Sequence, residues 1–141
     1  MKDLSKIVED FNTQGTIKAI KPLGGGLIND TYKVETTEPN NPDYVLQRIN
    51  HTIFQNIEML QTNIEAVTRH IRKKLTEAEE TDIDRKVLTF LETAEGKTYS
   101  FDGENYWRMM TFIPHAHTYE TVNPEYSYYA GVAFGNFQAM L

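Results

Sequence analysis

The feature that most constrains the fold is a regular apolar stripe between about Asn56 and Leu75. Its apolar residues recur at alternating gaps of three and four, at Ile57, Leu60, Ile64, Val67, Ile71 and Leu75. This spacing places them on one face of an α-helix, with Glu58, Glu65 and Arg69 on the opposite side. A helix with a single apolar face must bury that face against another element. We therefore expect one long helix packed across a sheet.

Alternating apolar and polar residues predict strands on both sides of that helix. Three strands are predicted before it, at Thr16 to Leu23, Asp30 to Thr37 and Tyr44 to Ile49, and three after it, at Val87 to Leu91, Lys97 to Phe101 and Tyr106 to Ile113. A short helix at Leu4 to Phe11 opens the chain, and Asn123-Pro124 is a start signal for a last helix. The pattern predicts an α+β fold, with an antiparallel sheet of about five strands and one long packed helix.

The first two predicted strands are joined by the glycines Gly24, Gly25 and Gly26. Glycine-rich connections can lie over nucleotide phosphates, because the missing side chains let backbone N–H groups approach. No Gly-Lys-Ser or Gly-Lys-Thr follows, so this is not a Walker loop, and the strict Gly-x-Gly-x-x-Gly of protein kinases is absent. Alone, the three glycines are more typical of a turn. The order of the surrounding elements is that of a protein-kinase-like N-terminal lobe, and it favours phosphate binding.

Composition limits the class of protein. The 141 residues suit one domain, 1–141, and the net charge of −6 disfavours a partner held by bulk positive charge, such as nucleic acid or an anionic membrane. No cysteine is present, which excludes disulfides and thiol chemistry, and no apolar run approaches the roughly 20 residues that span a bilayer. We expect a cytoplasmic protein that binds neither nucleic acid nor membrane.

Five segments together resemble one family. They are Gly-Gly-Leu-Ile-Asn-Asp-Thr-Tyr (25–32), Tyr-Val-Leu-Gln-Arg-Ile-Asn (44–50), Asn-Ile-Glu-Ala-Val-Thr-Arg-His (63–70), Tyr-Trp-Arg-Met-Met-Thr-Phe-Ile (106–113) and Ala-Gly-Val-Ala-Phe-Gly-Asn-Phe (130–137). In this order they resemble the aminoglycoside phosphotransferase and choline kinase superfamily, nearest its N-acetylhexosamine 1-kinase branch. The resemblance covers essentially the whole chain. It implies the ATP-binding N-terminal lobe of a small-molecule kinase that acts on a sugar, with ATP and Mg²⁺ as cofactors.

The resemblance also implies a phosphate site. The family's phosphate loop falls on residues 24–29, from Gly24 to Asn29, and its phosphate-binding cation falls near Gln47-Arg48. Arg48 is our choice, because only a cation can neutralise phosphate, and Gln47 is the competing register on the opposite face of the strand. The family places an acid on the long helix to hold that cation. Glu65 is the candidate for this role, and Gln61 or Thr68 would suit the geometry as well.

The resemblance further implies an adenine site at the end of the last predicted strand. The Thr111 carbonyl and the Ile113 N–H would meet the edge of the base, while Leu46 and Met110 would line the pocket. His115 and His117 invite a metal interpretation, but two imidazoles without a third ligand pattern give weak support for a metal site.

The superfamily's catalytic aspartate, in a His-Gly-Asp-like segment, and its downstream metal-binding aspartate belong to a C-terminal lobe. This sequence contains no such segment, so the resemblance implies no catalytic residue in the chain and no activity of the chain alone. The last helix carries apolar Val132, Phe134, Phe137 and Met140 and has no C-terminal cap. We expect a fragment whose residues 124–141 begin the connection to the second lobe, with a homodimer through this helix as one consequence.

Two alternatives remain open at the level of the sequence. The parent kinase could act on choline, homoserine or an aminoglycoside, because the family's substrate contacts lie mainly in the other lobe. The chain could instead be a non-catalytic binding module.

Overall fold

The computed structural model describes residues 3–24, 29–116 and 123–141. The helices are α1 (Leu4–Glu9), α2 (Ile57–Glu77), α3 (Ile83–Lys86) and α4 (Pro124–Ala139), and the strands are β1 (Ile17–Pro22), β2 (Asp30–Thr36), β3 (Tyr44–Ile49), β4 (Ser100–Phe101) and β5 (Tyr106–Thr111). The chain divides into two compact units. The first is Met1–Glu65 with Leu88–Phe112, and the second is Ala66–Val87 with Ile113–Leu141.

The first unit contains a sheet of five antiparallel strands in the order β1-β2-β3-β5-β4, counted over the described residues. The predicted α+β class, the antiparallel sheet and the long helix are therefore confirmed. Thr31 of β2, Gln47 of β3 and Arg108 of β5 lie side by side in this register. Paired residues share a face of the sheet, so these three side chains form a row on one face.

The predicted strand at Val87 to Leu91 is reduced to one bridge, between Phe90 and Met110. Two backbone hydrogen bonds of 2.9 Å flank the bridge, from Leu91 N–H to Met109 and from Thr111 N–H to Thr89. β4, which pairs with the beginning of β5, is also shorter than the Lys97 to Phe101 predicted for it. Two short segments thus share the outer edge of β5, and neither has room for a long strand.

Helix α1 covers one face of the sheet, which we call the α1 face. The buried residues of this core are Ile7, Val8, Phe11, Val34, Tyr44, Leu46, Trp107 and Met109. The strand members alternate with residues of the opposite face, which we call the Arg108 face after Arg108, which lies there with Thr31 and Gln47. The α1 face therefore carries this apolar core, and the row of Thr31, Gln47 and Arg108 lies on the Arg108 face.

Helix α2 is confirmed, but its buried stripe differs from the predicted one. Ile57, Ile71 and Leu75 are buried as expected, whereas Val67 is 39% exposed and Gln61 is 0% exposed. A polar residue can occupy a buried position when its hydrogen bonds are made, and those of Gln61 are made within the first unit. The buried side of α2 therefore includes a polar side chain that hydrophobicity alone does not select.

The second unit holds a small apolar cluster. Ile71, Leu75 and Val87 are buried there, with Ile83 and Met140 packed against them. The one-turn helix α3 follows α2 in an acidic segment, and Arg72 pairs with Asp84 at 2.8 Å.

Helix α4 begins at an N-cap formed by Asn123, whose side chain accepts from the Tyr126 N–H. None of its residues is buried. Its exposed large apolar side chains include Tyr128, Tyr129, Val132, Phe134 and Phe137. Among the described residues, no helix combines the length and the apolar character needed to cross a membrane.

Candidate functional site

The glycine-rich connection lies between β1 and β2. The Leu23 N–H donates to the Thr31 carbonyl at 2.9 Å, so the connection leaves the ladder directly after Leu23. Gly24 adopts φ +68°, a left-handed conformation that favours glycine, and an added Cβ would meet none of the described residues within 4 Å. Asn29 accepts a 2.8 Å hydrogen bond from the Asn50 N–H, which ties the end of the connection to the chain beyond β3. Gly25 and Gly26 lie outside the described residues.

Arg48 lies on the α1 face and already has a carboxylate partner. Its Nη2 lies 2.6 Å from Asp30 Oδ2, its Nε donates to the same oxygen at 2.8 Å, and its Nη1 donates to Asn105 at 3.4 Å. The adjacent cavity of about 300 Å³ is also lined by Asp102 and Glu104. The guanidinium predicted to bind phosphate thus sits among three carboxylates, which repel an anion.

Gln47 lies on the Arg108 face, so the expected opposition of Gln47 and Arg48 is confirmed. Its amide nitrogen donates to Thr31 Oγ1 at 3.1 Å, and its amide oxygen accepts from Arg108 Nε at 2.8 Å. The Gln47 amide thus links β2 to β5 through side chains, along the row set by the strand register.

Arg108 is the centre of a polar group that the sequence analysis did not single out. Its Nη1 donates to Gln61 Oε1 at 2.9 Å, and Gln61 Nε2 donates to Thr98 Oγ1 at 3.2 Å. We call Thr31, Gln47, Gln61, Thr98 and Arg108 the Arg108 cluster. The cluster connects three strand positions of the sheet to the first half of α2.

The electrostatics of Arg108 are unusual. Both of its hydrogen-bond acceptors are neutral amide oxygens, and in the described part of the chain no carboxylate lies within ion-pair distance of its guanidinium. The Phe90 ring lies 5.9 Å from its Cζ atom. Burial lowers the pKa of Arg108 because desolvation disfavours the charged form. A charged residue between Trp107 and Met109 is the sequence signal that could have drawn attention to this position.

The structure does not pair Glu65 with Arg48. The carboxylate that holds Arg48 is Asp30, and Arg48 faces α1, whereas Glu65 belongs to α2. The helix residue that reaches a sheet cation is Gln61, one of the two alternatives, and the cation is Arg108. Thr68, the other alternative, falls in the second unit.

The residues expected to form the adenine site are only partly brought together. Leu46 is 0% exposed in the core of the α1 face, and its partner in the register is Met109. Met110 pairs with Val45 and therefore lies on the Arg108 face. Leu46 and Met110 therefore lie on opposite faces of the sheet, and the structure does not bring their side chains together. Thr111 ends β5 in the first unit, and Ile113 belongs to the second.

No group of three or more metal-ligating side chains occurs within residues 3–24, 29–116 and 123–141. His115 is exposed, and His117 lies outside the described residues. No protein-family model matches the chain.

Proposed function

We propose that this chain is the nucleotide-binding lobe of an ATP-dependent small-molecule kinase with a protein-kinase-like N-terminal lobe. The observation that carries the proposal is the topology: a glycine-containing connection joins the first two strands of a five-stranded antiparallel sheet, and a long helix follows the third strand. In such lobes the glycine connection covers the phosphates, and a cation near the third strand neutralises their charge.

The side chains on the Arg108 face fit a polyphosphate better than those on the α1 face. One face presents a guanidinium held by neutral oxygens, while the other presents an arginine already paired with Asp30. Gly24, with its positive φ and open surroundings, suits a connection whose backbone approaches a ligand. In this proposal Met110 contributes to one wall of the adenine site, and Thr111 offers its backbone carbonyl to the edge of the base.

The proposal assigns the general base and the magnesium ligands to a second lobe outside this 141-residue sequence. The described residues contain no group of three or more metal-ligating side chains. This lobe would contribute positioning and charge stabilisation, which are the main sources of catalysis in phosphoryl transfer.

We propose an N-acetylhexosamine as the substrate, phosphorylated at its anomeric hydroxyl. The resemblance of segments 25–32, 44–50, 63–70, 106–113 and 130–137 to the N-acetylhexosamine 1-kinase branch supports this choice.

The experiment is an ATP-consumption assay on the protein that carries this lobe together with its C-terminal lobe. The panel is N-acetylglucosamine, N-acetylgalactosamine, choline, homoserine and an aminoglycoside, with product identified by phosphorus NMR. We expect an anomeric sugar phosphate. Transfer to choline, homoserine or the aminoglycoside would replace the substrate and keep the kinase, whereas no transfer to any acceptor and no nucleotide binding would contradict the proposal.

A further inference from the structure

We infer that Arg108, rather than Arg48, is the cation through which this lobe contacts the phosphate groups of its ligand. The inference rests on the proposed function, and it assigns the polyphosphate to the Arg108 face of the sheet. It replaces the arginine indicated by the sequence with one on a different strand and on the opposite face.

The first argument is that one nitrogen of the guanidinium, Nη2, remains available to a ligand. Nε donates to Gln47 and Nη1 donates to Gln61, while Nη2 makes no hydrogen bond to any described residue. In the described part of the chain, no buried side-chain nitrogen or oxygen is left without a partner. Nη2 is therefore not fully enclosed by the described residues, so an oxygen of a bound ligand can approach it.

The second argument is charge. A guanidinium stays protonated in proteins, so a half-buried Arg108 carries a positive charge that its two amide acceptors do not neutralise. Removing such a charge from water is costly unless an anion balances it. A phosphate oxygen would supply the missing negative charge and the geometry of a charge-assisted hydrogen bond.

The third argument is preorganisation. The amide nitrogens of Gln47 and Gln61 donate to Thr31 and Thr98, which turns both amide oxygens toward Arg108. Two fixed contacts, one through Nε and one through Nη1, hold the plane of the guanidinium. A group held in this way loses little freedom when a ligand binds.

The fourth argument is location. Thr31 follows Asp30 at the start of β2, so one end of the Arg108 cluster adjoins the end of the glycine-rich connection. A polyphosphate bound on the Arg108 face beside Asn29 would meet the row that runs from Thr31 through Gln47 to Arg108. Arg48 pairs with Asp30 at this same end of β2, but its guanidinium lies on the α1 face beside Asp30, Asp102 and Glu104.

The test measures the binding of tripolyphosphate and of adenosine separately, by calorimetry and NMR, on the 141-residue chain. The variants are Arg108→Gln and the matched control Arg48→Gln. We expect Arg108→Gln to weaken tripolyphosphate binding by about tenfold or more, because a charge-assisted contact is lost. Adenosine binding should not change in either variant, and Arg48→Gln should leave tripolyphosphate binding within about twofold of wild type.

The outcomes separate the inference from the proposed function. Suppose that the wild type binds adenosine and tripolyphosphate. If tripolyphosphate binding is then insensitive to Arg108→Gln, or is lost in Arg48→Gln, the inference is overturned and the proposed function is not. Arg108-dependent tripolyphosphate binding without adenosine binding supports the anion site and counts against a nucleotide lobe. Binding of neither probe by the wild type overturns both.

If Arg108→Gln does not fold, the wild-type Nε–Hε signal of Arg108 provides the readout. That signal should move on addition of tripolyphosphate and stay in place with an equal ionic strength of sodium chloride. A signal that does not move overturns the inference.

Discussion

Replacing Gln61 by leucine removes the amide that joins α2 to the sheet without changing the size of the side chain greatly. Gln61 is 0% exposed, accepts from Arg108 Nη1 at 2.9 Å and donates to Thr98 Oγ1 at 3.2 Å. Leucine can make neither contact, so a guanidinium N–H and a threonine hydroxyl lose their partner in a buried place.

The magnitude follows from these two bonds. A hydrogen bond to a charged group contributes about 1.5–3 kcal/mol and a neutral one about 0.5–1.5 kcal/mol. We therefore expect Gln61→Leu to lower the free energy of unfolding by about 2–4 kcal/mol, a large part of the roughly 5–15 kcal/mol typical of a domain. With a urea dependence of about 1–3 kcal/mol per M, the midpoint of urea unfolding should fall by about 1–2 M.

Asn63→Leu is the matched control, since Asn63 is exposed on the same helix. Its urea midpoint should correspond to a change within about 0.5 kcal/mol, as for an ordinary surface substitution. If Gln61→Leu unfolds at the same urea concentration as wild type, the Arg108 cluster does not stabilise the fold, and our reasoning about its buried hydrogen bonds is refuted.

Two further predictions concern the β1 and β2 region. Gly15→Ala should destabilise the chain by about 1–3 kcal/mol, because Gly15 has φ +83° and a Cβ there would lie 2.6 Å from Asn41 Nδ2. The control is Gly135→Ala in α4, where an added Cβ meets no described residue within 4 Å, and it should be neutral or stabilising. Equal shifts of the thermal midpoint in the two variants would contradict this prediction. The backbone hydrogen bond from Thr16 lowers the pKa of Glu38, so its stabilisation is present above the ordinary glutamate pKa and is lost as the pH falls through the lowered one. A carbon-13 NMR titration of Glu38 should show a midpoint below that of an unstructured glutamate, and a midpoint at or above that value would be inconsistent with the Thr16 contact.

Local sequence patterns predicted the elements that carry strong periodicity. Strands β1, β2, β3 and β5 and helix α2 follow from alternation and from the apolar stripe. The segments around Phe90 and Ser100 were predicted as full strands because each alternates, but they compete for the outer edge of β5. That competition depends on contacts distant in sequence, which local periodicity does not contain.

The candidate site was predictable only in part, because alternation alone does not identify the two faces of a sheet. It correctly separates Gln47 from Arg48, but it does not reveal which of them faces α1 and which faces α2. The choice of Arg48 and the placing of Leu46 beside Met110 were both made without knowing which face of the sheet α1 covers. Arg108 becomes prominent only when its register with Gln47 and the burial of Gln61 are both known.

The most direct test of the central claim, that this lobe binds nucleotide, is a titration of the nitrogen-15-labelled chain with ATP, followed by two-dimensional NMR. Because the proposal assigns the rest of the site to a second lobe, we expect weak, saturable binding with a dissociation constant on the order of 1 mM. The shifted signals should include Gly24, Asn29, Gln47 and the Arg108 side chain. Shifts that do not saturate, or that match those produced by sodium chloride of equal ionic strength, would contradict the claim.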